Sequence, residues 1–150
     1  MERKSHWSIL LILFVVIVTS CVLWLTVDGS GETITVDDDG SADYSKIQDA
    51  INESQDGDTI IIFEGKYYEK IIVNKSVSLI GNGSEETTID GGGSGDVVKV
   101  TASWVNINGF FITGSGSKWT NAGIKVVSNK NHIFENICSN NKNGIFLSLS

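Results

Sequence analysis

The sequence has no proline, two cysteines in 150 residues, and no arginine after Arg3. Two cysteines can neither staple a disulfide scaffold nor fill a four-cysteine zinc site. A formal charge of −7 leaves no basic surface for nucleic acid, and no nucleic-acid partner is expected. His6 and His132 are the only histidines, and Met1 is the only methionine. A copper-type ligand set is therefore out of reach, and no cofactor is expected. What is present is 41% hydrophobic residues and 16 glycines, too apolar a composition for a disordered tail.

The apolar residues are unevenly placed. From Trp7 to Val27 the chain runs without a single charge. As a helix rising about 1.5 Å per residue it would cross a bilayer core. Arg3 and Lys4 precede this run and Asp28 follows it. That polarity keeps the N-terminus in the cytoplasm and exports everything after Asp28. The expected partition is residues 1–27 as a transmembrane or signal-anchor segment, 28–32 as a linker, and 33–150 as the body. A cleaved signal peptide is the main alternative, although its usual A-x-A-like site is missing. Lipidation at Cys21 is the third, because Val18-Thr19-Ser20-Cys21 is similar to a bacterial lipobox. All three place the body outside the cytoplasm, at a cell surface or in a periplasm, with residues 7–27 meeting the membrane. Three sequons, at Asn52, Asn74 and Asn82, are usable where the host glycosylates exported proteins.

Negative charge is concentrated just after this segment. Residues 28–58 carry ten acids and one lysine, a net of −9, whereas residues 59–150 carry seven acids and eight lysines, a net of +1. Asp37-Asp38-Asp39-Gly40 has the carboxylate density of half a calcium loop, which leaves metal binding at Asp37 and Asp39 open. The later ligands of such a loop, above all its terminal glutamate, are not at the required spacing, so a solvated acidic turn is expected. Tyr44 to Ile51 reads as a short amphipathic helix with Ser45 as N-cap, its Ile47, Ala50 and Ile51 on one face.

From Thr59 onward short runs of alternating apolar residues are punctuated by Gly, Asn and Ser, the pattern of strands. The inward pairs Val77/Leu79, Val98/Val100, Ile124/Val126 and Ile145/Leu147 advance in sequence number by 21, then 26, then 21. Ile107 to Ile133 and Ile112 to Cys138 each step by 26. Such a shared register predicts a solenoid of four or five coils, with a five-residue insertion somewhere in 113–123. Asparagines at 129, 131, 136, 140, 141 and 143 fall in its turns, where they can bond to a neighbouring coil. Cys138 falls on a core position, and His132, alternating with Ile133, faces solvent.

These residues resemble a known family. Ile34-Thr35-Val36, the run Asp39 to Ile51, Gly57-Asp58-Thr59-Ile60-Ile61-Ile62, Gly65 to Glu69 and Leu79 to Gly83 are similar to the opening of pectin lyase-fold proteins, pectinesterases especially. From Asn129 on, the chain resembles the β-helix repeats of NosD-type periplasmic proteins and archaeal surface proteins. The resemblance implies an all-β, right-handed parallel β-helix closed by a short N-terminal capping helix. Pectinesterases use two aspartates, glutamines and an arginine on a later sheet. Here there is no arginine in the body, and Gln48 and Gln55 lie in and after the capping helix, so no catalytic residue is assigned.

One residue points to binding. Trp119 lies in the inserted loop, where an exposed indole would offer a sugar ring an apolar face and an N–H donor, unless it folds back over the coil. Trp104 and Tyr67 or Tyr68 are expected to be structural. The resulting expectation is a membrane-anchored, extracytoplasmic β-helix module without catalysis in this stretch, touching a polysaccharide through Trp119. The alternative is the N-terminal part of a polysaccharide-active enzyme whose catalytic coils lie beyond Ser150. Leu147, an inward position near the end of the sequence, predicts an open last coil able to meet an end-to-end partner.

Overall fold

The computed structural model describes residues 31–148. The segment 7–27 and Cys21, with the anchor, lipid and signal alternatives, lie outside the described residues. Among the described residues no helix is long and apolar enough to cross a membrane. They form a parallel β-solenoid of about four coils.

The chain enters through β1 (Thr33–Val36) and a single helix, α1 (Ile47–Glu53). The first coil is β2 (Thr59–Ile62), β3 (Gly65–Tyr67) and β4 (Ile71–Val73). The second is β5 (Ser78–Gly81), β6 (Thr87–Asp90) and β7 (Val98–Val100). The third is β8 (Asn106–Asn108), β9 (Phe111–Thr113) and β10 (Ala122–Val126), and the fourth β11 (His132–Ile133), β12 (Ile137–Cys138) and β13 (Asn143–Leu147). Corresponding strands stack into three parallel sheets: β1-β2-β5-β8-β11, β3-β6-β9-β12 and β4-β7-β10-β13. Alternation turns Ile60, Ile62, Leu79, Ile107, Ile71, Val98, Ile124, Ile89 and Ile112 into one continuous core. Each coil buries its aliphatic side chains only against its neighbours, so the core is a stack of layers.

The register agrees with the sequence in the later coils and departs from it in the earlier ones. Ile124 pairs with Val98 and Ile145 with Ile124, the expected steps of 26 and 21. The expected step from Val77/Leu79 to Val98/Val100 is overturned. Leu79 belongs to the first sheet and pairs forward with Ile107, whereas Val98 belongs to another sheet and pairs back to Ile71. The reason is the corners, which vary in length from coil to coil. Ser115 donates its N–H to Asn141 Oδ1, still a step of 26, whereas Ala122 pairs with Asn143, a step of 21. The five-residue insertion is thereby confined to 116–121.

The capping helix also differs from expectation. It starts at Ile47, because Tyr44 is drawn into a bridge beside Val36. The cap position is Lys46, and the capping oxygens come from Glu69, which accepts from the N–H groups of Ile47 (3.0 Å) and Gln48 (3.1 Å). Ser45 does not cap. A carboxylate from the first coil fixes the helix over the core, which seals Ile47, Ala50 and Ile51 completely.

The acidic turn is tied down by its own backbone. Asp37 accepts from Asp39 N–H and the Ser41 hydroxyl, Asp39 from Ser41 N–H, and Asp43 from the N–H and hydroxyl of Thr35. Asp38 reaches across to Lys66 N–H at 3.0 Å, seated over Gly65, where a Cβ would lie 2.7 Å from the carboxylate. Among the described residues no three His, Cys, Asp or Glu side chains are grouped to hold a metal ion. Beneath this turn Tyr67 is buried and its hydroxyl donates to Val36 and Phe63 carbonyls. Burial first, and then the charges of Asp38 and Asp37, push its pKa up to about 12.

Candidate functional site

The corner between the second and third sheets carries the chemistry available for recognition. In the first coil it is Tyr68-Glu69-Lys70, in the second 91–97, and in the third 114–121, the insertion with Trp119. Trp119 is 76% exposed, so it does not fold back over the coil. It is nonetheless held: its carbonyl accepts from Asn143 Nδ2 at 2.9 Å, and its ring meets Phe146 edge-on at 6.3 Å. The Lys125 ammonium lies 5.5 Å over the Phe146 ring and 3.5 Å from Asp96.

Tyr68 stands on the same corner, 71% exposed. The Lys66 ammonium sits 4.7 Å over its ring and 3.1 Å from Asp90. Contact with Tyr68 and then with Asp90 raises the lysine's pKa, and the Gly92 N–H and then Lys66 lower that of Asp90. Of the two tyrosines, one of which was expected to be structural, Tyr67 is buried and Tyr68 is exposed. Adjacent strand positions must face opposite ways, and β3 turns Tyr67 inward. The pair Tyr67-Tyr68 was the available signal that one aromatic had to emerge.

Between the two rings lies the second coil's corner, Gly91-Gly92-Gly93-Ser94-Gly95, which carries almost no side chain. A Cβ on Gly92 or Gly93 would meet nothing within 4 Å. It is braced from both sides, by Lys70 Nζ donating to Ser94 Oγ and by N–H bonds from Gly93 to Gly114 and from Gly116 to Gly95. Tyr68 thus belongs to the first coil's corner and Trp119 to the third's, its ring leaning toward the fourth coil, and the glycine run lies on the coil between them.

The other expected residues are placed plainly. Trp104 is 63% exposed. It lies in the corner 101–105 where the register passes from 27 to 28, its φ of +62° helps turn that corner, and Lys130 lies 4.5 Å over its ring. His132 is exposed. Cys138 packs partly buried against the core, and burial pushes its thiol pKa up, away from reactivity.

No family model matches the chain. Over 84 residues it is 38% identical to a cell surface glycoprotein of Methanothermus fervidus, an alignment covering 49% of this chain and 13% of that protein. The chain thus spans about an eighth of the length of that relative. Among solved structures it is similar to pectin methylesterase from carrot, with a TM-score of 0.62, 18% identity, and coverage of 68% of this chain and 38% of that one. At that identity the likeness is one of fold: the chain has the pectin lyase-like parallel β-helix that its opening residues resemble.

Proposed function

We propose that this chain is an extracytoplasmic cell-surface module that contacts polysaccharide along the Tyr68–Trp119 corner and carries no catalysis of its own in residues 31–148. The observation that carries the reading is that two exposed, braced aromatic rings stand on the first and third coils of one corner, with a glycine-rich run on the coil between them. Aromatic faces stack on the C–H faces of pyranose rings, and a glycine floor lets a sugar chain approach backbone donors. The spacing suits a chain laid along the solenoid axis and spanning more than one sugar. Both rings are already oriented by neighbours, so little ordering entropy opposes binding.

The non-catalytic part is supported by how the carboxylates are used. Asp38, Asp43, Asp56, Asp58 and Glu69 accept backbone N–H groups, and Asp90 and Asp96 face lysines. The cell-surface location is supported by the named relative and by the charge order around residues 7–27, which we assign as a membrane anchor.

The test is binding of the full chain to a panel of surface polysaccharides by calorimetry. Trp119→Ala and Tyr68→Ala are each expected to weaken binding about tenfold, the loss of one aromatic contact. Unchanged affinity in both variants overturns the corner as the site. Release of methanol or of an unsaturated product from uronate polysaccharide overturns the non-catalytic reading.

A further inference from the structure

The three sequons are equal in sequence and unequal in the fold. An N-linked acceptor needs the asparagine amide together with the hydroxyl two residues on. A folded chain can serve only where both ends of the triplet are free to be bound.

Asn52 fails this at its hydroxyl. The asparagine lies in α1, its carbonyl taken by Lys75 Nζ and its side chain accepting from Gln48. Ser54 is 2% exposed, and its hydroxyl donates to Ile51 at 2.8 Å. Asn74 is exposed, but the rest of its triplet is engaged. Lys75 reaches the carbonyls of Asn52 and Ser54, and Ser76 uses its N–H on Asp56, its carbonyl on Gly57 and its hydroxyl on Ser103, each at 2.8 Å. Presenting either triplet requires local unfolding of the helix cap or of the corner beneath Trp104.

Asn82-Gly83-Ser84 is different. It lies in the second coil's corner between the first and second sheets. From Gly81 to Thr87 is six residues, against three from Ile62 to Gly65, their partners in the coil beneath. The register therefore forces three extra residues out of the solenoid at this point. Asn82 is exposed: its backbone N–H donates to Thr87 Oγ1 and the Gly83 carbonyl accepts from Glu86 and Thr87, but its side-chain amide is held only by Glu86, an exposed side chain that water can replace. Among the described residues no hydrogen bond uses the Ser84 hydroxyl, and a Cβ on Gly83 would meet nothing within 4 Å.

We propose that Asn82 is an N-glycosylation site of the folded body, and that folding closes the Asn52 and Asn74 sequons. The proposal rests on the extracytoplasmic location given above. The reaction is group transfer from a polyprenyl-phosphate-linked glycan. The Asn82 amide nitrogen forms a bond to the anomeric carbon, the anomeric carbon–oxygen bond to phosphate breaks, the phosphate leaves with the electron pair, and one amide proton is lost to the transferase. The glycan would stand on a different edge from Tyr68 and Trp119, leaving that corner open.

The test uses the full chain made without glycosylation and offered, folded, to an oligosaccharyltransferase with a polyprenyl-phosphate-linked donor, with occupancy read by peptide mass spectrometry. Asn82 is expected to be occupied at least about tenfold more than Asn52 or Asn74, and the same chain unfolded should take glycan at all three. Ser84→Ala should abolish transfer to Asn82 without changing the melting temperature. Occupancy of Asn52 or Asn74 equal to that of Asn82 in the folded chain overturns the proposal, as does a bare Asn82 in the folded chain or in protein from its own cells. Surface labelling of intact cells reads location separately, so failure of the location and failure of the site are distinguishable.

Discussion

The cap end and the later coils hold neighbouring backbone together with different side chains. Near the cap the clips are carboxylates. Asp58, 5% exposed, accepts from Glu32 N–H and Gln55 N–H, one on each oxygen, while Glu69 takes two helix amides and Asp38 reaches Lys66. In the fourth coil the clips are amides. Asn136 accepts from Phe110 N–H and donates to Ile107 and Phe134 carbonyls, and Asn141 accepts from Ser115 N–H and donates to the Ile112 carbonyl. A carboxylate only accepts, so it serves where N–H groups converge, as at a helix start or a chain entry. An amide both accepts and donates, so it serves where one coil presents an N–H and a C=O to the next. Asn131, Asn136 and Asn141 are evenly spaced, and each follows a residue with positive φ: Lys130, Glu135 and Asn140. That repeated corner keeps the same step on two of the sheets, from Ile107 to Ile133 and from Ile112 to Cys138.

Exchanging the two chemistries is the sharpest way to break this contrast. Asn136→Asp sets a carboxylate against the Ile107 and Phe134 carbonyls and is expected to cost about 2–3 kcal/mol at neutral pH, measured by denaturant unfolding. The mirror exchange, Asp58→Asn, turns an NH₂ toward one of two converging N–H groups and should cost somewhat less, about 1–2 kcal/mol. If both exchanges are neutral, the two clip types are interchangeable and the contrast carries no energy. A smaller effect, about 1 kcal/mol, is expected for Glu69→Ala, with faster hydrogen exchange in α1 and none in the fourth coil.

The same contrast explains what the sequence disclosed. Ile107 and Ile112 could be matched to Ile133 and Cys138 because asparagine corners hold both steps at 26, and Ile124 could be matched because one insertion accounts for its step of 21 to Ile145. Between β2 and β8 the paired steps are 19, 22, 27 and 28, set by inserted corner residues that leave no periodic trace, so the regular-looking step from Leu79 to Val100 was a coincidence. Trp119 was legible as an exposed loop residue because its insertion interrupts a regular stretch. Its partner Tyr68 was not, because only the sheet register brings two corners so distant in sequence onto one edge. The Glu69 cap was hidden for a similar reason: it lies far along the chain from the Ile47 amide it holds, where no local capping pattern can announce it.

Acid should separate the two regions with the least disturbance of all. The nearby Ser41 side chain and then its N–H hold the Asp39 pKa below the ordinary 3.8, the Thr35 hydroxyl and N–H do the same for Asp43, and the Gly92 N–H and then Lys66 for Asp90. A carboxylate whose folded pKa lies below its unfolded value stabilises fully above the unfolded value and loses that contribution as pH falls through the folded one. Asp39 and Asp43 are exposed, so the total effect is small, but its position in the fold is informative. The expected result of an NMR titration is movement of the Thr35, Ser41 and Gly92 amides below pH 3.8, while the Val105, Phe110 and Ser115 amides, bonded to asparagine oxygens, stay fixed. Simultaneous movement of both sets would mean that the coils unfold as one unit, and that the choice between carboxylate and amide has no local consequence.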